Sequence, residues 1–402
     1  MHRFARLTAT LPALFLLFSC GGPPGPVVEA PSFDEARRLA VENDDLIVID
    51  FWHDGCPPCA DFALAVEEDA GIRRALDGLV LVKIDTRNPE QNALADSHDV
   101  RMFPTFVMTD SHGEVLSRWI GYGDPEDWIA TVAAIKDDPV TAAERAARHQ
   151  SNPSFRDALA LGRLSLARRE CADAERFFRD ALRLDPSKAK EADVPIRIFR
   201  AAYHGVGEEQ IAVDHATRIA SGLLQEPRLK PEYAFEVTER FVDAIDQVGE
   251  ERVIPCLRMA YPHIVDLADA EFQERQNEFF INYAIYVEKN ATQALRLKRA
   301  GLPEAWSEDP DALNSFAWWC FEHDLNLEEA EQVAARGVEL ATSEAARANV
   351  LDTQAEIVNA LGRTQAAFAL IERALELDPQ SEYLQHQHER FNDLVNGSAE
   401  MP

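Results

Sequence analysis

The apolar run Leu46-Ile47-Val48-Ile49-Asp50-Phe51 passes directly into Trp52-His53-Asp54-Gly55-Cys56-Pro57-Pro58-Cys59, and this passage limits the fold more than any other in the chain. The run has the length and composition of a strand covered on both faces, as in a parallel sheet. From Ala60 to Leu76 the spacing becomes that of an amphipathic helix, so Cys56 falls at a strand-to-helix junction. Unpaired N–H groups and the helix dipole favour a thiolate at such a junction. Pro58 fixes φ early in the helix, where a missing N–H costs little. Two cysteines three residues apart on a first helical turn can close a small disulfide ring. They supply a nucleophile and a resolving partner, the minimum for thiol–disulfide exchange.

Other residues point the same way. Asp50 is an acid at the end of an apolar strand, where burial of a bare carboxylate is costly and raises its pKa. Such a group near the second thiol could take its proton when that sulfur must attack. The segment Val100-Arg101-Met102-Phe103-Pro104-Thr105 leads into a further apolar run, Phe106-Val107-Met108. Asp124-Pro125-Glu126-Asp127 supplies an N-cap, a proline at N1 and acids in the first turn of a helix reaching about Lys136. Ser32 to Glu35 reads as a capping box opening the first helix.

Residues from about Ser32 to Lys136 therefore resemble an α/β thioredoxin-fold domain, through Asp50-Phe51-Trp52, Cys56-x-Pro58-Cys59 and Phe103-Pro104-Thr105. The resemblance implies that Cys56 attacks, Cys59 resolves, and Asp50 is the buried proton acceptor. It also implies a cis bond before Pro104, a residue that faces the disulfide, and a substrate groove shaped by Trp52, Pro58, Phe103, Pro104 and Thr105. Gly55 stands where ordinary thioredoxins carry a second tryptophan, which opens the surface beside Cys56. Pro57 replaces their glycine at a position that helps set the reduction potential. Potentials of such proteins span roughly −270 to −120 mV, and the residues leave open whether this one is a reductant, an oxidant or an isomerase. The electron donor and the oligomeric state are equally open.

A zinc site would need two further ligands at suitable spacing, and no second Cys-x-x-Cys or His-x₃₋₅-His occurs. His53, His98 and His112 are scattered, with His53 placed on an exposed loop. The expected chemistry uses neither metal nor cofactor.

Met1 to Arg6 is a short basic region, followed by an apolar stretch from Leu7 to Phe18 that is short for a membrane-spanning helix. It ends in Leu17-Phe18-Ser19-Cys20-Gly21, which resembles a bacterial lipobox despite the unusual Phe18. Residues 1–20 thus read as a lipoprotein signal peptide, with Cys20 as the lipidated residue. Residues 21–31 read as a Gly/Pro-rich tether. Several acyl chains would hold the protein at a membrane, where one alone binds marginally. The expected location is the bacterial cell envelope, at the periplasmic face of the outer membrane, an oxidising space in which disulfides need management. The remaining cysteines, Cys171, Cys256 and Cys320, are widely separated with apolar neighbours and read as buried free thiols.

After a thioredoxin-like domain at 32–138, residues 141–395 read as an all-α, tetratricopeptide (TPR)-like helical solenoid. Thr141 to Glu144 repeats the capping-box pattern. Leu161-Gly162, Ala174, Phe178, Ala181 and Asp185-Pro186 fit the tetratricopeptide spacing, as do Ala355, Gly362, Ala367, Ile371, Ala374 and Asp378-Pro379. A third unit places one helix around Asn314 to Glu322 and another from Leu327 to Leu340, the latter capped by Asn326 and Glu329. Residues 188–309 are helical by composition, with degenerate repeats. Such arrays bind segments of partner proteins, although the aromatic run Phe316, Trp318, Trp319 and Phe321 at helical spacing reads better as hairpin packing.

A net charge of −30 argues against nucleic acid as a partner. Because its acids are interspersed with Arg and Lys, they read as solvated helix faces. The expected activity is exchange with protein thiols and disulfides, with the repeats recruiting or positioning a partner. The competing expectation is a repeat scaffold whose thioredoxin-like domain only docks proteins.

Overall fold

A computed structural model describes residues 26–397 of the 402-residue chain. Cys20, the leader and the first part of the tether lie outside those residues. Among the described residues, no helix is long and apolar enough to cross a membrane.

Five strands form one mixed sheet: β1 (Val28–Ala30), β2 (Leu46–Trp52), β3 (Leu79–Asp85), β4 (Thr105–Thr109) and β5 (Val115–Ile120), in the order β1-β3-β2-β4-β5. The β1/β3 and β3/β2 pairs are parallel, and the β2/β4 and β4/β5 pairs antiparallel. Central β2 is buried on both faces, which explains its nearly continuous apolar sequence. On one face Ile47, Ile49 and Phe51 pack with α1 (Phe33–Asn43) and α4 (Pro89–Ser97). On the other, Val48 packs with Phe62 and Val66 of α2 (Pro57–Glu68), Ile72 of α3 (Ala70–Ala75), and Trp128 and Val132 of α5 (Pro125–Asp137).

Three details differ from the sequence expectations. The tether is shorter than 21–31, because Val28–Ala30 pairs with Val80–Val82 as β1 and Ala30 is buried in the core. The helix expected from Ala60 to Leu76 is two helices. Asp69 ends α2 in extended backbone and caps α3 by accepting from the N–H groups of Gly71 and Ile72. Ser32 does cap α1, but the Glu35 carboxylate pairs with Arg38 and leaves the box half formed.

The chain divides into two compact units, 1–223 and 224–402. The first helices after Asp138 therefore share a unit with the sheet, although composition alone places a domain boundary near 138–141. The full capping box of Thr141 and Glu144 opens α6 (Ala142–Ser151), followed by α7 (Phe155–Ala167), α8 (Cys171–Leu184), α9 (Pro186–Glu191) and α10 (Val194–Gly207). In the α7–α8 hairpin, a Cβ at Gly162 would lie 2.6 Å from the buried Phe178 ring, so only glycine fits. Asp157 binds Arg145, Arg148 and Ser154, while Asp138 at the end of the sheet domain binds the same two arginines. Asp127 of α5 pairs with Arg163 of α7 at 2.7 Å and with Arg197 of α10 at 2.9 Å.

The second unit is helical, and its clearest hairpins join Pro310–Glu322 to Leu327–Leu340 and Glu344–Ala360 to Thr364–Leu377, with Glu382–Gly397 closing the array. These elements make the second part of the chain a TPR-like all-α solenoid. Asn326 takes left-handed backbone and makes no side-chain cap; its amide binds the Glu329 carboxylate instead. Phe316 and Trp319 are buried, whereas Trp318 and Phe321 are half-buried. Cys171, Cys256 and Cys320 are buried free thiols.

Candidate functional site

The chain leaves the carboxyl end of β2 at Trp52 and turns through 53–55 into α2. Gly55 adopts φ +80°, a left-handed backbone that glycine takes without penalty, and a Cβ there would meet nothing within 4 Å. Cys56 occupies the N-cap position of α2 in extended backbone, and Pro57 and Pro58 follow at N1 and N2. Prolines suit these positions because the first helical N–H groups have no intrahelical acceptor. The Cys56 carbonyl accepts from the N–H groups of Cys59 at 3.1 Å and Ala60 at 3.2 Å. Cys56 and Cys59 form a disulfide with Cα atoms 5.3 Å apart. Both cysteines are buried, while Gly55 and Pro57 beside them are exposed.

Asp50 lies two residues before the end of β2 and is 3% exposed. Strand alternation turns it toward the face of Val48, which α2 covers with Phe62. Cys59, Phe62 and Val66 form the buried stripe of α2. The carboxyl and the second cysteine consequently belong to one layer. Lys83 on β3 and Phe106 on β4 flank Asp50 in register. Its Oδ1 meets no hydrogen-bond donor among the described residues. Burial pushes its pKa up to about 7; Lys83 pulls it down and Glu29 opposes that pull. Glu29 also lies 3.4 Å from the Lys83 ammonium, so the lysine's charge is divided between two acids.

The Phe103–Pro104 peptide bond is cis. Thr105 lies opposite Phe51 in the β2/β4 register, which brings the Met102–Pro104 segment to the carboxyl end of β2, the end from which the cysteine turn departs. The Pro104 carbonyl accepts from the Gly121 N–H at 2.8 Å, and Thr105 Oγ1 donates to the Met102 carbonyl at 2.7 Å. Trp52 is half-buried, and its carbonyl accepts from the Thr86 N–H and hydroxyl.

Three neighbours had no clear signal in the sequence. His53 stands edge-on to Phe103, with ring centroids 4.6 Å apart, so this loop residue joins the turn to the Pro104 segment. Arg87 pairs with Asp54 at 2.5 Å and with Asp85 at 3.3 Å. Arg118, buried on β5, donates to the carbonyls of His98 and Asp99 and anchors the chain entering the Phe103 loop. Except for Arg87–Asp85, these contacts join residues far apart in the sequence, which spacing alone does not bring together. Cys20 lies outside the described residues.

Residues 33–136 match the family described as thioredoxin-like domain. Thioredoxin-1 of Drosophila yakuba is 36% identical over 74 residues, 18% of this chain and 65% of that relative, so the match spans just under two thirds of it. Thioredoxin H5 of Arabidopsis thaliana is 34% identical over 94 residues, 23% of this chain and 75% of the relative. Among solved structures, YrrB, a TPR protein with an unusual peptide-binding site, is 14% identical; the match covers 62% of this chain and all of YrrB, with a TM-score of 0.30.

Proposed function

Because the chain belongs to the thioredoxin family through its N-terminal domain, we propose that it is a thiol–disulfide oxidoreductase acting on protein substrates, held at a bacterial envelope membrane by lipid on Cys20, with its helical repeats engaging partner proteins. The observation that carries this reading is the Cys56–Cys59 disulfide at the mouth of α2, with an under-partnered Asp50 in the layer that holds Cys59. The lipid anchor rests on the leader sequence, and partner binding rests on the repeat architecture.

In the reducing direction, the Cys56 thiolate attacks one sulfur of a client disulfide. The client S–S bond breaks, one client thiolate leaves, and a mixed disulfide joins Cys56 to the client. Asp50 then takes the Cys59 proton, and the Cys59 thiolate attacks Cys56 Sγ. The second client thiolate departs and takes up a proton, so two electrons have passed to the client and Cys56–Cys59 is oxidised. A pKa of about 7 lets Asp50 hold or release that proton near neutrality. A dithiol donor must return the pair to its reduced form, and the same steps reversed oxidise a client. Trp52, Pro58, Phe103 and Pro104 shape the groove against which the client backbone lies, with Thr105 buried behind them.

Trapping in cells tests the proposal. Cys59→Ser should accumulate mixed disulfides on non-reducing gels, and Cys56→Ser should not. The trapped species should sediment with membranes and become soluble when Cys20→Ala is added. Equal, empty lanes for both active-site variants would overturn the exchange mechanism.

A further inference from the structure

The Pro310–Glu322 and Glu344–Ala360 helices, which open successive hairpins of the second unit, carry the same short pattern. One reads Leu313-Asn314-x-x-Ala317-Trp318 and the other Leu351-Asp352-x-x-Ala355-Glu356. Leu313, Ala317, Leu351 and Ala355 are all buried, so the two patterns have the same register against their neighbours. Asn314 and Asp352 thus hold equivalent places. Asn314 Oδ1 and Asp352 Oδ1 are also both buried without a hydrogen-bond donor among the described residues. A buried acceptor left unsatisfied loses its hydration without regaining a hydrogen bond, which destabilises the fold. Two of them at matching positions of successive hairpins are acceptors that packing alone does not require.

The surroundings favour a cation. Asp352 is 5% exposed, and its second oxygen accepts from the Tyr383 hydroxyl at 2.9 Å. Glu356, one turn along and also buried, accepts from Arg390 and from Gln387 Nε2. Burial raises the pKa of both carboxyls, and Arg390 only partly offsets this. A single guanidinium therefore stands against two carboxylates. The cover over Asp352 is Tyr383, a side chain on a residue that is itself 55% exposed and bonded to Gln387 at 2.6 Å. Turning that ring outward would uncover the carboxylate without disturbing the core. Trp318, one turn beyond Asn314 and half-buried, offers an aromatic face for the stem of a long side chain.

We propose that the Pro310–Glu322, Glu344–Ala360 and Glu382–Gly397 helices form a docking site for a polypeptide segment bearing lysines or arginines, whose cationic side chains donate to Asp352 Oδ1 and, on the preceding hairpin, to Asn314 Oδ1. Charge complementarity selects this occupant: the acceptors are present, the donors are missing and the local charge is negative. The inference deepens the reading that the repeats engage proteins and is independent of the disulfide chemistry. Its test uses oxidised protein, so its failure would leave the exchange mechanism standing.

The test is fluorescence anisotropy of fluorescein-labelled octalysine with the full chain at 0.15 M salt, using the Nε-acetylated octamer as the neutral comparison. The wild type should bind the charged peptide and not the acetylated one. Asp352→Asn should weaken binding about tenfold, since one charge-assisted hydrogen bond has roughly that worth. Glu376→Gln, at an exposed position of the Thr364–Leu377 helix, removes the same charge and should change affinity less than twofold. Asn314→Leu should also weaken binding while leaving Tm unchanged or higher, because it deletes an unsatisfied acceptor. That combination distinguishes a docking group from a structural one and remains readable if Asp352→Asn destabilises the fold. Equal losses in Asp352→Asn and Glu376→Gln would mean diffuse attraction to an acidic protein and overturn the site. Absence of octalysine binding by the wild type, or unchanged affinity in Asn314→Leu, would overturn it as well.

Discussion

Asp50, in the sheet domain, and Asp157, in the first helical hairpin, are withdrawn from water to almost the same degree, 3% and 1% exposed. Their surroundings differ. Asp157 accepts from Arg145 at 3.1 Å, from Arg148 through both oxygens and from the Ser154 hydroxyl at 2.9 Å. Burial alone would raise its pKa, but these bonds hold it below the ordinary carboxylate range. Asp50 has a lysine shared with Glu29 and one oxygen with no donor, and burial pushes its pKa up to about 7. The same side chain at the same depth is a fixed anion in one region and a poised proton carrier in the other. Partners, not burial, decide which.

The largest effect should come from the paired member. Asp157→Ala leaves Arg145 buried with only Asp138 as counter-charge and removes four hydrogen bonds. A loss of about 3–5 kcal/mol is expected, the range for breaking one side of a buried ion pair. Urea unfolding followed by circular dichroism would measure it. A loss below about 1 kcal/mol would show that the network contributes little and would remove the contrast with Asp50.

Stability against pH sharpens the contrast, because the two linkages have opposite signs. The folded pKa of Asp50 is raised above the unfolded value, so its contribution is fully present below about pH 4 and is lost as pH rises toward 7. Three pKa steps set a ceiling of about 4 kcal/mol on that loss. Asp157 has a depressed folded pKa, so its contribution is present above the unfolded pKa and is lost as pH falls. Asp50→Asn should abolish the neutral-side decline, leave the acid-side decline intact, and slow the resolving step by about 10²-fold at pH 7. Urea titrations from pH 4 to 8, paired with quenched-flow trapping, read both. A decline of unchanged slope in the Asn variant would place the neutral-side proton elsewhere.

The same contrast explains what was legible in the sequence. Local signals carry local structure: Leu46 to Phe51 is a strand, Cys56 begins α2, Asp124 caps α5, and Gly162 lies against Phe178. Asp50 stood out because an acid interrupts an apolar run. Asp138, Arg145, Arg148 and Asp157 looked like the salt-laced surface of a helix, since charge alternation there is the same whether or not a second element covers it. Which of these charges pair, at separations of 7 to 12 positions, depends on tertiary approach, and so did the location of the compact-unit boundary at 223/224. The Asp69 break between α2 and α3 was missed for a related reason: the apolar spacing continues through it, and only the cap geometry reveals the stop.

Asp127 supplies the intermediate case and the smallest expected effect. It has the arginine partners that Asp50 lacks, Arg163 and Arg197, but its side chain is 44% exposed, so water and salt reach the cluster. Asp127→Asn should therefore cost about 1 kcal/mol, near the top of the range for solvent-exposed ion pairs, because Arg163 remains mostly covered after its counter-charge has gone. Screening decides between that explanation and simple loss of hydrogen bonds. With a Debye length of about 30 Å at 0.01 M salt and about 3 Å at 1 M, a Coulombic cost should shrink across that range while a hydrogen-bonding cost should not. If Asp127→Asn matched Asp157→Ala in size and ignored salt, exposure would have no bearing on how strongly a paired carboxylate stabilises this unit. Partnering alone would then rank the three aspartates.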